Sequence, residues 1–293
     1  MLWILLTAAA APLQVARNAL QRGLVGDAGP WGATLVRFLF GLPFSLSIFA
    51  VVAALTPGAS AHVSARYLVA VASGAVAQMA ATAALLVAMR RSGFAVATVM
   101  QQSSLPLAAL FGWALLGDGL SGRAWGGIAV TTVGLAVLSW PKRDQMRGAG
   151  VGVLLGLASG AAFAVALNAY REAGRALDPA HAIYSATASV CVAQAIQSTI
   201  LVTALAAIRP AALLAVARSW RPSLGAGFFG AAASACWFGA LAMAPAGPVR
   251  AVGVIEAPIA ALAARRLFKE RMNLRQLAGG GLAAMGVAMT ALG

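Results

Sequence analysis

Four residues recur at a single spacing in the two halves of this 293-residue chain. The first set, Pro106, Asp118, Gly127 and Gly134, is followed 152 positions later by Pro258, Glu270, Gly279 and Gly286. Because the chain has only 12 prolines and 7 acidic residues, four matches at one offset indicate an internal duplication. We therefore expect two copies of one unit, the first in residues 1–141 and the second in residues 148–293.

The duplicated unit is strongly apolar. Hydrophobic residues make up 61% of the chain and charged residues 10%, whereas a soluble domain carries about 25% charged residues. The apolar residues form runs long enough for membrane-spanning helices, which need about 20 residues. Runs such as 151–167 do not alternate in polarity as the strands of a membrane barrel do. The composition therefore predicts an all-α polytopic membrane protein in a lipid bilayer.

The net charge of +14 comes from short basic clusters between the apolar runs. A nucleic-acid-binding surface would place its cations on an amphipathic helix or beside stacking aromatic residues, and the sequence has no such pattern. Arg and Lys in short loops instead hold those loops in the cytoplasm and contact anionic lipid. The charge pattern predicts no nucleic-acid partner.

Ten membrane spans fit the apolar runs, five on each side of the basic segment Lys142–Arg147. Their predicted bounds are 2–21, 31–55, 67–88, 94–116, 123–140, 149–171, 180–208, 223–243, 248–268 and 274–292. The longest loops are expected at Pro57–Ala65 and Arg209–Pro222. Since five is an odd number, the second copy enters the membrane from the opposite side. The result is an inverted-topology repeat, the plan of many secondary transporters.

The Lys and Arg residues are unevenly distributed between the two sides of the predicted membrane. Loops after the odd-numbered spans hold fourteen of them, and the opposite side holds at most five. The positive-inside rule therefore places both termini outside the cytoplasm.

Spans 5 and 10 carry the paired glycines of the repeat. Small residues let helices approach closely in lipid. We expect spans 5 and 10 to be packing helices, either within a monomer or at the surface of a homodimer.

The order of Pro106, the stretch Leu115-Leu116-Gly117-Asp118, and then Gly127 and Gly134 resembles the EamA-like repeat of the drug/metabolite transporter superfamily. The second copy follows the same order, and Arg37 resembles an Arg common in span 2 of that repeat. Two features depart from the pattern. Asp118 stands where Glu is usual, and Pro12-Leu13 lies in the region of a Trp-Gly pair typical of span 1. Members of the superfamily usually have cytoplasmic termini, which is opposite to the charge count.

The resemblance implies a ten-helix secondary transporter with a central cavity between two inverted five-helix halves. It implies a small-molecule substrate exported by alternating access across a bacterial cytoplasmic membrane, foremost amino acids and among them aromatic ones. Export of organic cations, drugs or other metabolites is the alternative within the superfamily. A channel and an intramembrane enzyme are the alternatives outside it. The resemblance implies no cofactor.

Polar side chains inside the apolar runs are costly and require a reason. The densest group is Gln101-Gln102-Ser103-Ser104, one turn before Pro106 in span 4. A proline removes a backbone hydrogen bond and kinks a helix, which directs polar groups toward a cavity. Gln101, Gln102 and Ser104 are therefore candidate substrate-binding residues, and interhelical hydrogen bonding is the alternative.

Glu256 aligns with Ser104 at the 152-residue offset and is the one acid expected deep in the membrane. An isolated carboxylate at that depth keeps its proton because burial penalises the charge. Glu256 therefore either binds a cationic group, carries a coupling proton, or forms an ion pair with Arg37 or Arg250.

Arg37 lies one to two turns into span 2, where it either binds a substrate carboxylate or snorkels to the interface. Asn18 and Asn168 occupy matching places in spans 1 and 6, which suggests shared helix-to-helix hydrogen bonding or a place in the cavity. Gln78 and Trp237 are further candidates for substrate binding.

Other chemistry has little support in the sequence. The cysteines Cys191 and Cys236 fall inside apolar runs, and the histidines His62 and His181 are far apart, so no metal site is expected. The sequence has no phosphate-binding loop of the kind that ATP-driven transport needs and no catalytic constellation. We therefore expect a protein that is not an enzyme.

Overall fold

The computed structural model describes residues 1–139, 150–256, 259 and 274–292. Pro258, Glu270 and the basic segment Lys142–Arg147 lie outside the described residues. Within the described residues the regular elements are helices. They are α1 Leu2–Leu39, α2 Leu42–Leu55, α3 Ala65–Gln101, α4 Ser104–Leu116, α5 Gly122–Ser139, α6 Gly150–Leu177, α7 Ala182–Ile208, α8 Pro210–Arg218, α9 Trp220–Met243, α10 Ala246–Gly253 and α11 Leu274–Ala291.

The helices have the length and apolarity that a membrane requires. In the described part of the chain, six helical stretches are long and apolar enough to cross a bilayer, and two shorter apolar helices accompany them. Large apolar side chains also point outward, and Val69, Leu115 and Leu154 are 68%, 72% and 68% exposed. Such exposure suits contact with lipid. The predicted polytopic all-α protein is confirmed, and the count of ten spans stays a prediction.

Two of the predicted connections are shorter than expected. The chain between predicted spans 1 and 2, and between spans 3 and 4, remains helical and is interrupted only by sharp breaks at Gly29 and Gly93. Gly29 has φ 68° and ψ 177°, and Gly93 has φ 79° and ψ 164°. This backbone region is almost restricted to glycine, so one residue is enough to turn the chain.

The predicted loop Arg209–Pro222 is wrong, because most of it is helical. Pro210 begins α8, a position that suits proline since the first amide of a helix has no partner within the helix. On α8, Val216 is buried while Leu214 is 50% exposed. The segment is thus a short helix between two apolar ones.

The chain forms two compact units. The first contains Met1–Ala75 and Ala169–Met243, and the second contains Val76–Asn168 and Ala244–Gly293. Each unit therefore draws on both halves of the sequence. The two predicted copies, residues 1–141 and 148–293, are repeats of sequence and are not the same as these two compact units. Their boundaries remain a prediction.

In the second unit, the repeat glycines of α5 pack directly on those of α11. A Cβ on Gly127 would lie 2.7 Å from the carbonyl oxygen of Gly286, and one on Gly134 would lie 2.9 Å from that of Gly279. The pairs run in opposite directions along the two helices, so α5 and α11 are antiparallel. At the 152-residue offset, Gly127 corresponds to Gly279 and Gly134 corresponds to Gly286, so each of the two contacts is the repeat equivalent of the other. The helix pair therefore has a local twofold relation. These glycine faces are used within one chain.

A second glycine row joins α6 to α3 in the same unit. A Cβ on Gly152 would meet Ser92 at 2.3 Å, and a Cβ on Gly156 would meet Cβ of Met100 at 2.6 Å. One turn further, Gly160 faces the break between α3 and α4, since its Cβ would lie 2.9 Å from the Gln101 carbonyl oxygen. These three glycines therefore let α6 pack closely against the polar residues at the break.

Candidate functional site

The helix break that Pro106 favours lies at Gln102 and Ser103, between α3 and α4. The amide of Gln102 donates to the carbonyl oxygens of Thr98 and Val99 at 3.3 and 3.1 Å, and the amide of Leu105 donates to Gln102. Tight turns of this kind replace the regular helical bonds. Gln101 and Gln102 are half-buried and Ser104 is buried.

Arg250 joins this break to the end of α10. Its Nη2 donates to Gln102 Oε1 at 3.0 Å, and its Nη1 lies 3.8 Å from Glu256 Oε1. The side chains of Arg250 and Glu256 are 16% and 24% exposed. Of the two partners predicted for Glu256, Arg250 is therefore the one the structure places beside it. Arg250, Glu256 and Gln102 are together called the Arg250 cluster below.

Asn168 lies elsewhere in the second unit, where it links α6 to α4. Its Nδ2 donates to the carbonyl oxygens of Ala108 and Ala164 at 3.0 and 2.9 Å. Its buried Oδ1 has no hydrogen-bond partner among the described residues and lies 2.9 Å from where a Cβ on Gly112 would be. Asp118 Oδ2 approaches the same point to 3.1 Å. Gly112 thus provides the space in which both polar side chains sit.

The remaining predicted residue of this unit, Gln78, is half-buried on α3. Its carbonyl oxygen accepts the hydroxyl of Thr82 at 2.9 Å.

In the first unit, Arg37 lies on α1 against α9. Its Nε is buried and has no hydrogen-bond partner among the described residues, and its guanidinium carbon lies 4.7 Å from the centre of the Phe38 ring. The phenol of Tyr170 interacts with it electrostatically. Arg37 is therefore half-buried, and its Nε is shielded from solvent.

Tyr170 is a central side chain of the first unit. Gln197 Nε2 donates to its hydroxyl at 3.2 Å, and its ring lies 4.1 Å from the ring of Phe238. It fills the space that Gly74 leaves, since a Cβ on Gly74 would be 2.6 Å from the ring. The phenol thus connects α3, α6, α7 and α9 beside Arg37.

Trp237 and Asn18 have different surroundings in the first unit. Trp237 Nε1 donates to Gln14 Oε1 at 3.0 Å, which joins α9 to α1. Asn18 is exposed and accepts from its neighbour Arg17, whereas Asn168 is buried between helices. The matching sequence positions of the two asparagines do not give them matching contacts.

Three polar residues with central contacts were missed by sequence reasoning: Arg17, Gln14 and Tyr170. Arg17 is 7% exposed and lies within the last part of the first predicted span. A charged residue inside a span is by itself a signal of function, and it identifies Arg17. Gln14 is likewise a polar residue inside that span and could have been found by the same argument, whereas no such signal identifies Tyr170, whose contacts are made with residues distant in sequence.

Outside the spans, Asp178 joins two loops of the first unit. Its Oδ2 accepts the amide of Ser60 and the Nδ1 of His181, each at 2.9 Å. The amide of Ser60 lowers the pKa of this carboxyl, and His181 and the amide of Ala180 add to the effect. His62 belongs to the same pair of loops, because its amide donates to Leu177. Among the described residues no three His, Cys, Asp or Glu side chains group as a metal site requires.

Comparisons with known proteins agree with this fold. Residues 150–292 match the EamA-like transporter family. A protein of known crystal structure aligns with 99% of this chain and 97% of its own, with a TM-score of 0.67 and 16% sequence identity, so it shares the fold. No curated protein matches the chain in sequence. Over residues 150–292 the chain therefore matches the EamA-like transporter family, a family of membrane transporters in the drug/metabolite transporter superfamily.

Proposed function

We propose that this transporter exports small amphipathic metabolites, foremost amino acids, across a bacterial cytoplasmic membrane by alternating access. The observation that carries the proposal is the Arg250 cluster, in which a guanidinium, a carboxylate and an amide meet and the two charged side chains are only 16% and 24% exposed. Ionisable groups in a membrane protein are costly and mark substrate or ion pathways.

The contacts of the cluster suit a ligand with two opposite charges. At 3.8 Å, the distance between Arg250 Nη1 and Glu256 Oε1 exceeds the usual range of a hydrogen bond, whereas Arg250 is bonded to Gln102 at 3.0 Å. An amino acid offers a carboxylate to the guanidinium and an ammonium group to the carboxylate. Such a ligand can replace the internal ion pair without leaving either charge uncompensated.

Glu256 has a second role within the same proposal, as the carrier of a coupling proton. A carboxylate that gains a proton when the substrate leaves couples the movement of protons to the movement of the substrate. The other candidate substrate-binding residues are Gln101, Ser104, Gln78 and Asn168 in the second unit and Arg37, Asn18 and Trp237 in the first. Trp237 offers a ring face to an aromatic side chain.

Transport in proteoliposomes tests the proposal. Labelled amino acids, aromatic ones included, should enter with saturable kinetics, and unlabelled substrate on the far side should accelerate entry. Glu256→Gln should abolish the dependence of uptake on a pH gradient and leave substrate binding measurable. The matched control is Glu172→Gln, which removes the acid of the Arg66–Glu172 pair in the first unit and should leave the gradient dependence intact.

The outcomes separate the alternatives. Flux that does not saturate would indicate a channel, and uptake confined to organic cations would replace amino acids by the other substrate class of the superfamily. An unchanged gradient dependence in Glu256→Gln would remove the coupling role.

A further inference from the structure

The short helix α8 lies at a membrane surface, because it joins two membrane-spanning helices of the first unit. The helices on either side of it, α7 and α9, are both long and apolar enough to cross a bilayer. With nine residues α8 is too short to cross one, since a span needs about 20 residues. Single residues, Arg209 and Ser219, separate α8 from α7 and from α9. These short connections hold α8 at the level where the two spans leave the lipid.

The outward side of α8 and of the helix ends beside it carries apolar side chains. On its inward side α8 packs on α1 and α7, and Val216 is buried. On the outward side Leu214 is exposed, as are Ile208 at the end of α7 and Trp220 at the start of α9. Tryptophan favours the boundary between lipid headgroups and hydrocarbon. These side chains therefore suit the shallow apolar layer beneath the headgroups.

Three exposed arginines accompany these apolar side chains, and they are Arg209, Arg218 and Arg221. Arg218 follows Leu214 by four residues, so the two lie next to each other on the outward side of α8. The guanidinium carbon of Arg221 lies 5.2 Å from the centre of the Trp220 ring. Arginines combined with exposed Leu and Trp are typical of helices that bind in the plane of a membrane interface.

The arginines of this surface are not neutralised by a described carboxylate. Residues 179–255 contain no Asp or Glu, and none of the three guanidinium groups has an ion pair in the part of the chain that the structure describes. Asp178 lies before the start of α7, where it bonds to Ser60 and His181, whereas Arg209 follows the end of α7. The two ends of this span thus differ in charge, and the basic end suits an anionic partner.

We propose that α8 and the first turn of α9 bind the headgroups of anionic phospholipids. Arg209, Arg218 and Arg221 donate hydrogen bonds to phosphate oxygens, which the planar guanidinium group matches well. Leu214 and Trp220 contact the acyl chains directly below the phosphates. The charge count places this end of α7 in the cytoplasm, and anionic lipid gives the cytoplasmic leaflet its negative surface. Lipid binding at this surface does not depend on the substrate that the protein transports.

The melting temperature of the purified full-length protein in an uncharged detergent tests lipid binding, since a ligand that binds the native state raises it. Dioleoylphosphatidylglycerol should raise it more than dioleoylphosphatidylcholine, which has the same acyl chains but no net charge. The difference should decrease as salt is added, because ions screen exposed charges. Equal shifts from the two lipids at low salt would overturn the proposal.

Glycerol 3-phosphate separates a lipid-binding surface from a site for soluble phosphates. It carries the phosphate of the lipid without acyl chains, so it should not raise the melting temperature at concentrations at which phosphatidylglycerol does. A shift as large as that of the lipid would assign the arginines to a soluble phosphate compound and overturn the proposal.

Variants locate the binding surface. Arg218→Gln should weaken binding of phosphatidylglycerol by about fivefold, the contribution of one basic residue near a charged membrane surface, and should leave binding of phosphatidylcholine unchanged. Replacing Arg209 and Arg221 by Gln as well should weaken it further. Arg218→Lys keeps the charge and should retain most of the affinity. The matched control is Arg123→Gln, at an exposed arginine near the start of α5, which should bind the lipid normally.

Two results with these variants would contradict the assignment. Because all three arginines are exposed, their replacement leaves the contacts of α8 with α1 and α7 in place. Unchanged affinity in the triple variant would place the anionic lipid elsewhere on the protein. An equal loss in Arg218→Gln and Arg123→Gln would mean that net charge alone attracts the lipid.

Discussion

At the scale of single residues, Asp178 shows how one carboxylate secures two loops. It accepts hydrogen bonds from Ser60, across the loop interface, and from Ala180 and His181 on its own loop. These donors favour the charged form and hold its pKa below the ordinary value, the Ser60 amide most of all. A carboxyl whose pKa is lower in the folded than in the unfolded state stabilises the fold only while it is ionised.

Asp178→Asn should therefore lower the melting temperature at neutral pH. The stabilisation is fully present above the unfolded pKa of about 3.9 and is lost as pH falls through the lower folded value. The difference in melting temperature between wild type and variant should thus shrink in acid. His181→Gln leaves the Ser60 contact in place and should retain part of the pH dependence. A difference that stays constant as the pH falls from above the unfolded pKa to below the folded pKa would contradict this account.

The residue scale also shows which parts of the candidate site the sequence could predict. Glu256 and Arg250 could be proposed as partners because a deep acid requires a counter-charge, and the structure places them 3.8 Å apart. The bond between Gln102 and Arg250 could not be predicted, since the two residues are separated by 148 positions. Contacts at such separation depend on helix packing, which a single sequence does not specify.

At the scale of elements, the antiparallel packing of α5 and α11 depends on the lack of side chains at the four glycines of the repeat. Gly279, Gly280 and Gly281 are consecutive on α11, and they meet different surroundings. A Cβ on Gly279 would lie 2.4 Å from the backbone nitrogen of Leu138, whereas one on Gly280 or Gly281 would meet nothing within 4 Å. Backbone cannot move aside as a flexible side chain can.

Gly279→Ala should therefore destabilise the protein by about 1–3 kcal/mol, the usual cost of overpacking. Gly280→Ala and Gly281→Ala are controls on the same turn, and each should be neutral or stabilise by up to about 1 kcal/mol because alanine favours helix. Denaturation in detergent measures all three. Equal effects at the three positions would mean that α11 does not pack on α5 through Gly279.

Helix positions were predicted better than the connections between them. Apolar runs indicate where a span lies, since their length and composition suffice to identify it. They do not show whether the chain between two runs forms a loop, a break at a single glycine such as Gly93, or a short helix such as α8. Polar residues and glycine are common in all three, so composition does not separate them.

At the scale of the whole molecule, contacts between loops constrain how often the chain crosses the membrane. Ser60 follows the second predicted span and bonds to Asp178, which follows the sixth. Arg275, near the start of α11, donates to the carbonyl oxygen of Val137 near the end of α5. Each contact joins segments separated by four predicted spans, and an even number of crossings returns the chain to the same side. The helices α5 and α11 correspond to predicted spans 5 and 10. Because they are antiparallel, the chain must cross the membrane an odd number of times between the start of one and the start of the other.

The side of the membrane follows from the basic residues and is testable by labelling. In a variant without Cys191 and Cys236, Ala61→Cys lies in the loop that the charge count places outside the cytoplasm, and Ala211→Cys lies on α8, on the basic side. A membrane-impermeant maleimide should label Ala61→Cys in intact cells and Ala211→Cys only after lysis. The reverse pattern would place the termini in the cytoplasm, as is usual in the superfamily. Labelling of both in intact cells would contradict the predicted number of crossings between residues 61 and 211.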